Sequence, residues 1–218
     1  AEIFKIGLPV SIQSMSFSGL SMILARLVAG WGDAAIAAQK VGSQIESISY
    51  TTAEGFATAV NAFIAQNFGA GRMDRIRRGY WTAVGMIVAW SCLTTVMLVG
   101  FPAPLVRVFI QEEEVVRTGV SYLRIMGYSQ ILMCLEITSS GAFQGLGRPM
   151  PPTLAGIIGN AARIPLAVFL SATVLGLDGV WWSISISSIA KGIVVFTWFV
   201  VILRRYTHRQ AQGVDGLE

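Results

Sequence analysis

The sequence predicts an all-α polytopic membrane protein with six transmembrane helices, and three observations carry that reading. Apolar residues make up 54% of the 218 positions, charged residues only 13%, and the mean hydropathy is +0.63, a composition outside the range of a water-soluble globular domain of this size. The apolar residues gather into six stretches of about twenty residues or more, the length a helix needs to cross a bilayer. Short segments rich in glycine, proline and charge separate them, and the basic residues concentrate in alternate segments.

The first span covers residues 6–30, with Pro9 in its first turns and Arg26 near its far end. The second, residues 34–67, is the longest uninterrupted run and the element around which the chain is organised. Asp33 is expected as its N-cap, no proline interrupts it, and Gly69 and Gly71 mark its stop. At a rise of 1.5 Å per residue, about 30 residues reach roughly 45 Å, enough to cross a bilayer with its headgroups. The third span, residues 79–99, is closed by Gly100-Phe101-Pro102-Ala103-Pro104, where two prolines end the helix. Residues 105–117 read as an amphipathic turn or short interfacial helix with Glu112-Glu113-Glu114 at its polar end. The fourth span, residues 120–143, stops at Gly145-Leu146-Gly147-Arg148-Pro149. The fifth, residues 153–175, contains Arg163 and Pro165, and the sixth, residues 180–203, carries Lys191 near its middle. Residues 207–218 are expected as a cytoplasmic tail whose last residues, Leu217-Glu218, read as an appended scar. No repeat of 20 to 50 residues indicates a solenoid.

Loop charge sets the expected orientation. Lys5, the cluster of Arg72, Arg75, Arg77 and Arg78, Arg148, and Arg204, Arg205 and Arg209 share the side of both chain ends. The other side receives Asp33, Arg107, the three glutamates, Arg117 and Asp178. The positive-inside rule therefore places both ends in the cytoplasm, in a plasma or inner membrane. Trp31, Trp181 and Trp182 fall at one expected interface and Tyr80, Trp81 and Tyr206 at the other, as an aromatic belt requires. The net charge of +4 is membrane-flanking charge and not a nucleic-acid footprint, because the basic residues lie at span ends without aromatic interleaving.

Chemistry is expected from ionisable groups inside the spans, since such groups are costly in lipid unless paired, neutralised or watered. Glu136 lies mid-span among apolar residues and hydroxyls. Either it loads and releases a proton or binds a cation, or it is a protonated, helix-packing carboxyl or a partner of Lys191 or Arg163. Glu54 follows Glu46 by eight residues, which places both roughly on one helix face with Thr58 and Asn61 beyond them; they either line a polar cavity together, or Glu46 pairs structurally with Lys40. Gln13, Ser14, Ser16 and Ser18 in the first span, with Asn160 and Arg163 in the fifth, add hydrogen-bonding groups that serve a cavity or join helices. Cys92 and Cys134 sit in apolar runs and His208 is the only histidine, so no metal site, disulfide framework or cofactor is expected. No nucleophile and base match by spacing, which argues against an enzyme.

Four landmarks carry a family resemblance: Ile6-Gly7-Leu8-Pro9; Trp31-Gly32-Asp33-Ala34-Ala35-Ile36-Ala37-Ala38; Gln66-Asn67-Phe68-Gly69-Ala70-Gly71-Arg72; and Gly141-Ala142-Phe143-Gln144-Gly145-Leu146-Gly147-Arg148-Pro149. In this order and spacing the chain resembles the C-terminal lobe of MATE (multidrug and toxic compound extrusion) transporters. The resemblance implies one six-helix lobe of a twelve-helix antiporter, with an N-terminal lobe missing, that exports small cationic amphiphilic compounds in exchange for protons or sodium by alternating access. Some second lobes of the family carry an acid mid-way along the first span. Here that neighbourhood, Gln13 to Phe17, has none, and the coupling acid is expected at Glu136 or Glu54, or in the missing lobe. Two rival readings are a flippase for lipid-linked oligosaccharides, which Lys40, Arg163 and Lys191 would suit, and a membrane assembly module without transport of its own.

Overall fold

The computed structural model describes the backbone of residues 2–211 and the side chains of Ser11, Met15 and residues 18–206. Among them every regular element is helical: α1 (Glu2–Ala29), α2 (Asp33–Gly69), α3 (Met73–Gly100), α4 (Pro102–Arg107), α5 (Glu113–Gly145), α6 (Met150–Ser171) and α7 (Leu177–Ala211). The chemistry of the spans leaves little choice, because backbone groups in lipid must be satisfied within their own segment. Helices α3, α6 and α7 are long and apolar enough to cross a membrane on their own composition. The two longer polar ones, α2 and α5, pack most intimately against each other. Leu93, Val96, Ile158, Phe169 and Ile193 cover the exposed flanks of the apolar helices, as a lipid-facing surface requires.

Helix α5 is the axis, contacted chiefly by α2, α7 and α3. Helices α2 and α5 run parallel: Gly42 lies against Tyr122, Ser49 Oγ is 3.7 Å from Cys134 Sγ, Ala57 meets Gly141, and Asn61 meets Gly145. A Cβ on Gly141 would run into the Ala57 carbonyl oxygen, and one on Gly145 would lie 2.7 Å from that of Asn61, so here the helices touch backbone to backbone. Helix α7 also runs parallel to α5, with Tyr122 edge-on to Trp181 at 5.3 Å and Phe143 edge-on to Phe199 at 5.1 Å. Helices α3 and α6 run the opposite way, and α1 leans on α6 through Leu24, Val28 and Ala167.

The two central helices end alike. After α2, Gly71 takes φ 67°, the Arg72 N–H donates to the Asn67 carbonyl at 2.9 Å, and the Gly71 N–H donates to Phe68 at 3.0 Å. After α5, Gly147 takes φ 69°, the Arg148 N–H donates to Phe143 at 2.9 Å, and the Gly147 N–H donates to Gln144 at 2.9 Å. Both are Schellman closures whose left-handed residue is glycine for want of a Cβ. Two G-x-G-R segments thus produce two matching turns at one end of the bundle. An apolar core sits beside them, with Ile64, Ile76, Tyr80, Ile87, Phe143 and Phe199 fully buried and the Tyr80 hydroxyl 2.8 Å from Ser139 Oγ.

Several boundaries differ from the sequence expectation. Asp33 is the first residue of α2, and the cap position belongs to Gly32, at φ 97° with no side-chain hydrogen bond; the aspartate contributes its charge to the positive helix end. The interfacial helix is Pro102–Arg107 rather than 105–117, because proline is well placed in a first helical turn. The glutamate run opens α5, which therefore begins at Glu113 rather than 120. Helix α6 stops at Ser171 rather than 175, and α7 continues through 207–211 of the expected tail. Residues 212–218 lie outside the described residues.

Candidate functional site

Four ionisable side chains from four helices form one electrostatic group inside the bundle: Glu46 on α2, Glu136 on α5, Arg163 on α6 and Lys191 on α7. Glu136 Oε1 lies 3.2 Å from Lys191 Nζ, with side chains 14% and 11% exposed. This is a largely desolvated ion pair, and removing either partner would strand a charge. The lysine stem reaches it across Gly159 on α6, where a Cβ would overlap Lys191 Cγ. Glu46 accepts hydrogen bonds from the Tyr122 hydroxyl and from Gln130 Nε2, each at 3.2 Å. Arg163 is buried; its Nε donates to Ser187 Oγ at 2.6 Å and its Nη2 to Ser188 Oγ at 2.9 Å. Those partners are neutral, so its charge is balanced at longer range by Glu136 and Glu46. The group pairs two acids with two bases.

Polar acceptors surround it. Gln130 Oε1 and Asn160 Oδ1 are buried without a hydrogen-bond partner among the described residues, and a buried acceptor left unpaired costs about 1–3 kcal/mol. Asn160 is one turn from Arg163 on α6. Tyr50, one turn before Glu54 on α2, is within hydrogen-bonding reach of Glu54 and electrostatic reach of Glu136. Among the described residues no three His, Cys, Asp or Glu side chains gather as a metal centre would need.

The structure separates some of the expected site residues. Glu46 turns toward α5 while Glu54 is exposed, because eight residues leave them roughly 80° apart around the helix axis. Lys40 is exposed and Glu46 bonds to Tyr122 and Gln130 instead of to Lys40; six residues set Lys40 and Glu46 roughly 120° apart, beyond pairing geometry on one helix. Of the two partners open to Glu136, Lys191 makes the direct contact. Asn61 is half-buried and meets α5 through its backbone carbonyl. The side chains of Gln13, Ser14 and Ser16 lie outside the described residues. Sequence reasoning missed Tyr122, Gln130, Ser187, Ser188 and Gly159. A signal existed for the serines: Ser183, Ser185, Ser187 and Ser188 are a polar string within an apolar span.

The family model described as MatE matches residues 9–169. The chain belongs to the MatE family. Among curated proteins it is similar to the probable multidrug resistance protein NorM of Thermotoga maritima, 27% identical over 186 residues, which are 83% of this chain and 39% of that protein. It is also similar to the multidrug export protein MepA of Staphylococcus aureus, 26% identical over 218 residues, 99% of this chain and 48% of that protein. The chain thus spans half or less of the length of these MatE relatives. A crystal structure of MATE in the straight conformation superposes with a TM-score of 0.86 at 21% identity, covering 95% of this chain and 47% of that one. One in the bent conformation gives 0.88 at 21% identity, covering 96% and 47%. These likenesses show the fold: a MatE membrane chain with the size and helix arrangement of one lobe.

Proposed function

We propose that this chain is the C-terminal half of a secondary active exporter of cationic amphiphilic compounds, coupled to protons or sodium and working by alternating access with a second six-helix lobe on its N-terminal side. The observation that carries the reading is Glu136, a carboxylate on the central helix, mostly desolvated and paired directly with the Lys191 ammonium, in a chain whose relatives are named for multidrug resistance and export. In a low-dielectric site a carboxylate attracts an organic cation strongly, and neutralising it by a proton or sodium ion removes that attraction. One acid can therefore hold the drug or the coupling ion, but not both, which is the requirement for exchange.

The remaining groups have supporting roles in this reading. Exposed Glu54 draws cations toward the lobe. Glu46 and Arg163 fix the local field. Asn61, Asn160 and Gln13 offer amide hydrogen bonds to a ligand or coupling ion. Both ends of this half face the cytoplasm, with the arginines of the two G-x-G-R turns beside them.

The test is Glu136→Gln in the full-length transporter, reconstituted in vesicles. Drug-driven proton or sodium movement is expected to disappear while the protein remains folded; unaltered movement of both ions would remove Glu136 from the mechanism.

A further inference from the structure

The geometry points to Lys191 as a tethered competitor cation: its ammonium occupies Glu136 in the unliganded lobe, and a monovalent organic cation or coupling ion binds by displacing it. This rests on the assignment of Glu136 as the coupling acid and adds what fills that acid between ligands.

Three observations support it. The pair is direct, at 3.2 Å, and mostly buried on both sides, so it is not one of the solvated surface contacts that contribute little. The route for the stem is built into the fold. Gly159 leaves the space on α6 through which the lysine methylenes pass, and Gly192, the neighbour of Lys191, brings α7 against the Leu132 carbonyl of α5. Last, the two cations of the group differ in freedom. Arg163 has its planar fork held by Ser187 and Ser188, whereas the Lys191 ammonium ends an intrinsically flexible stem and has Glu136 as its ion-pair partner.

Charge balance supplies the reason for displacement. Glu136 faces Lys191 from α7, Arg163 from α6 and Tyr50 from α2, with Glu46 beyond Arg163 and Glu54 beside Tyr50. With all four ionised, Glu46, Glu136, Arg163 and Lys191 sum to zero. A second cation entering with the ammonium in place would leave a positive charge uncompensated in a desolvated site; one that replaces the ammonium keeps the sum unchanged. Return of the ammonium then expels the ligand. The apparent affinity of the lobe is lowered by the fraction of time the carboxylate is occupied by its own lysine.

The experiment measures tetraphenylphosphonium binding to the full-length transporter at fixed pH and sodium concentration. Lys191→Met is expected to tighten binding about tenfold or more, as removal of an internal competitor requires, and to slow turnover because release is no longer assisted. Gly159→Ala, which crowds the stem without altering either charge, should tighten binding in the same direction by a smaller factor. Loss of binding in Glu136→Gln, together with unchanged or weaker binding in both Lys191→Met and Gly159→Ala, overturns the competitor role and leaves the coupling acid in place. Intact binding in Glu136→Gln overturns both. Should Lys191→Met fail to yield folded protein, Gly159→Ala decides by the same criterion.

Discussion

The seam between α2 and α5 is built in two ways along its length. Toward the G-x-G-R turns, Gly141 and Gly145 let the helices meet closely, Gly141 against the backbone of Ala57 and Gly145 against the Asn61 carbonyl and the Ile64 side chain. From Gly42 to Ser49 side chains fill the seam instead: the Tyr122 ring covers Gly42, Glu46 reaches Tyr122 and Gln130, and Ser49 approaches Cys134. A backbone contact has no rotamer to change, and a close-packed one yields only by moving whole helices. A seam of hydroxyls, amides and carboxylates can exchange partners one at a time. The difference teaches where each property of the lobe resides: cohesion at the glycine end, and exchangeable charge along the polar stretch.

Substitutions can break this contrast. The largest effect is expected from Gly141→Val, which inserts a branched side chain where not even a Cβ fits. A cost on the order of 4 kcal/mol should leave little folded protein, read as loss of a monodisperse peak in detergent. Normal folding of this variant would mean that the glycine end is not close-packed. Glu46→Gln in the polar stretch should be milder, about 2 kcal/mol for the altered bonds to Tyr122 and Gln130 and the lost counter-charge to Arg163, measured by thermal unfolding, with the protein still assembled. Tyr80→Phe removes the bond to Ser139 within the apolar end, and an interhelical bond of this kind in a membrane protein contributes about 0.6 kcal/mol. A Tyr80→Phe loss exceeding that of Glu46→Gln would reverse the assignment of cohesion to glycine packing.

Chain-local chemistry explains which features were legible in the sequence. The apolar spans report themselves by composition, and the G-x-G-R segments end helices because Gly71 and Gly147 must take positive φ. Glu136 stood out because a lone acid in an apolar span must be answered by something. Its partner stayed open between Lys191 and Arg163, since the rotation of α5, α6 and α7 about their axes is set by packing and not by any of the three sequences. Tyr122 and Gln130 escaped notice for the same reason: nothing local shows that they point at Glu46. The start of α5 was hidden by its polarity. Glu113 and Glu114 look like a loop, yet acids in a first helical turn complement the helix dipole, and Glu113 meets Arg107 at 3.2 Å.

The glycine end has a practical consequence. Arg72 and Arg148 each follow a Schellman turn at the end of a helix that contacts its neighbour through backbone. A pair of spectroscopic labels at those two positions should keep one separation whatever the other helices do, and so serve as a fixed ruler against which the travel of any other part of the protein is read.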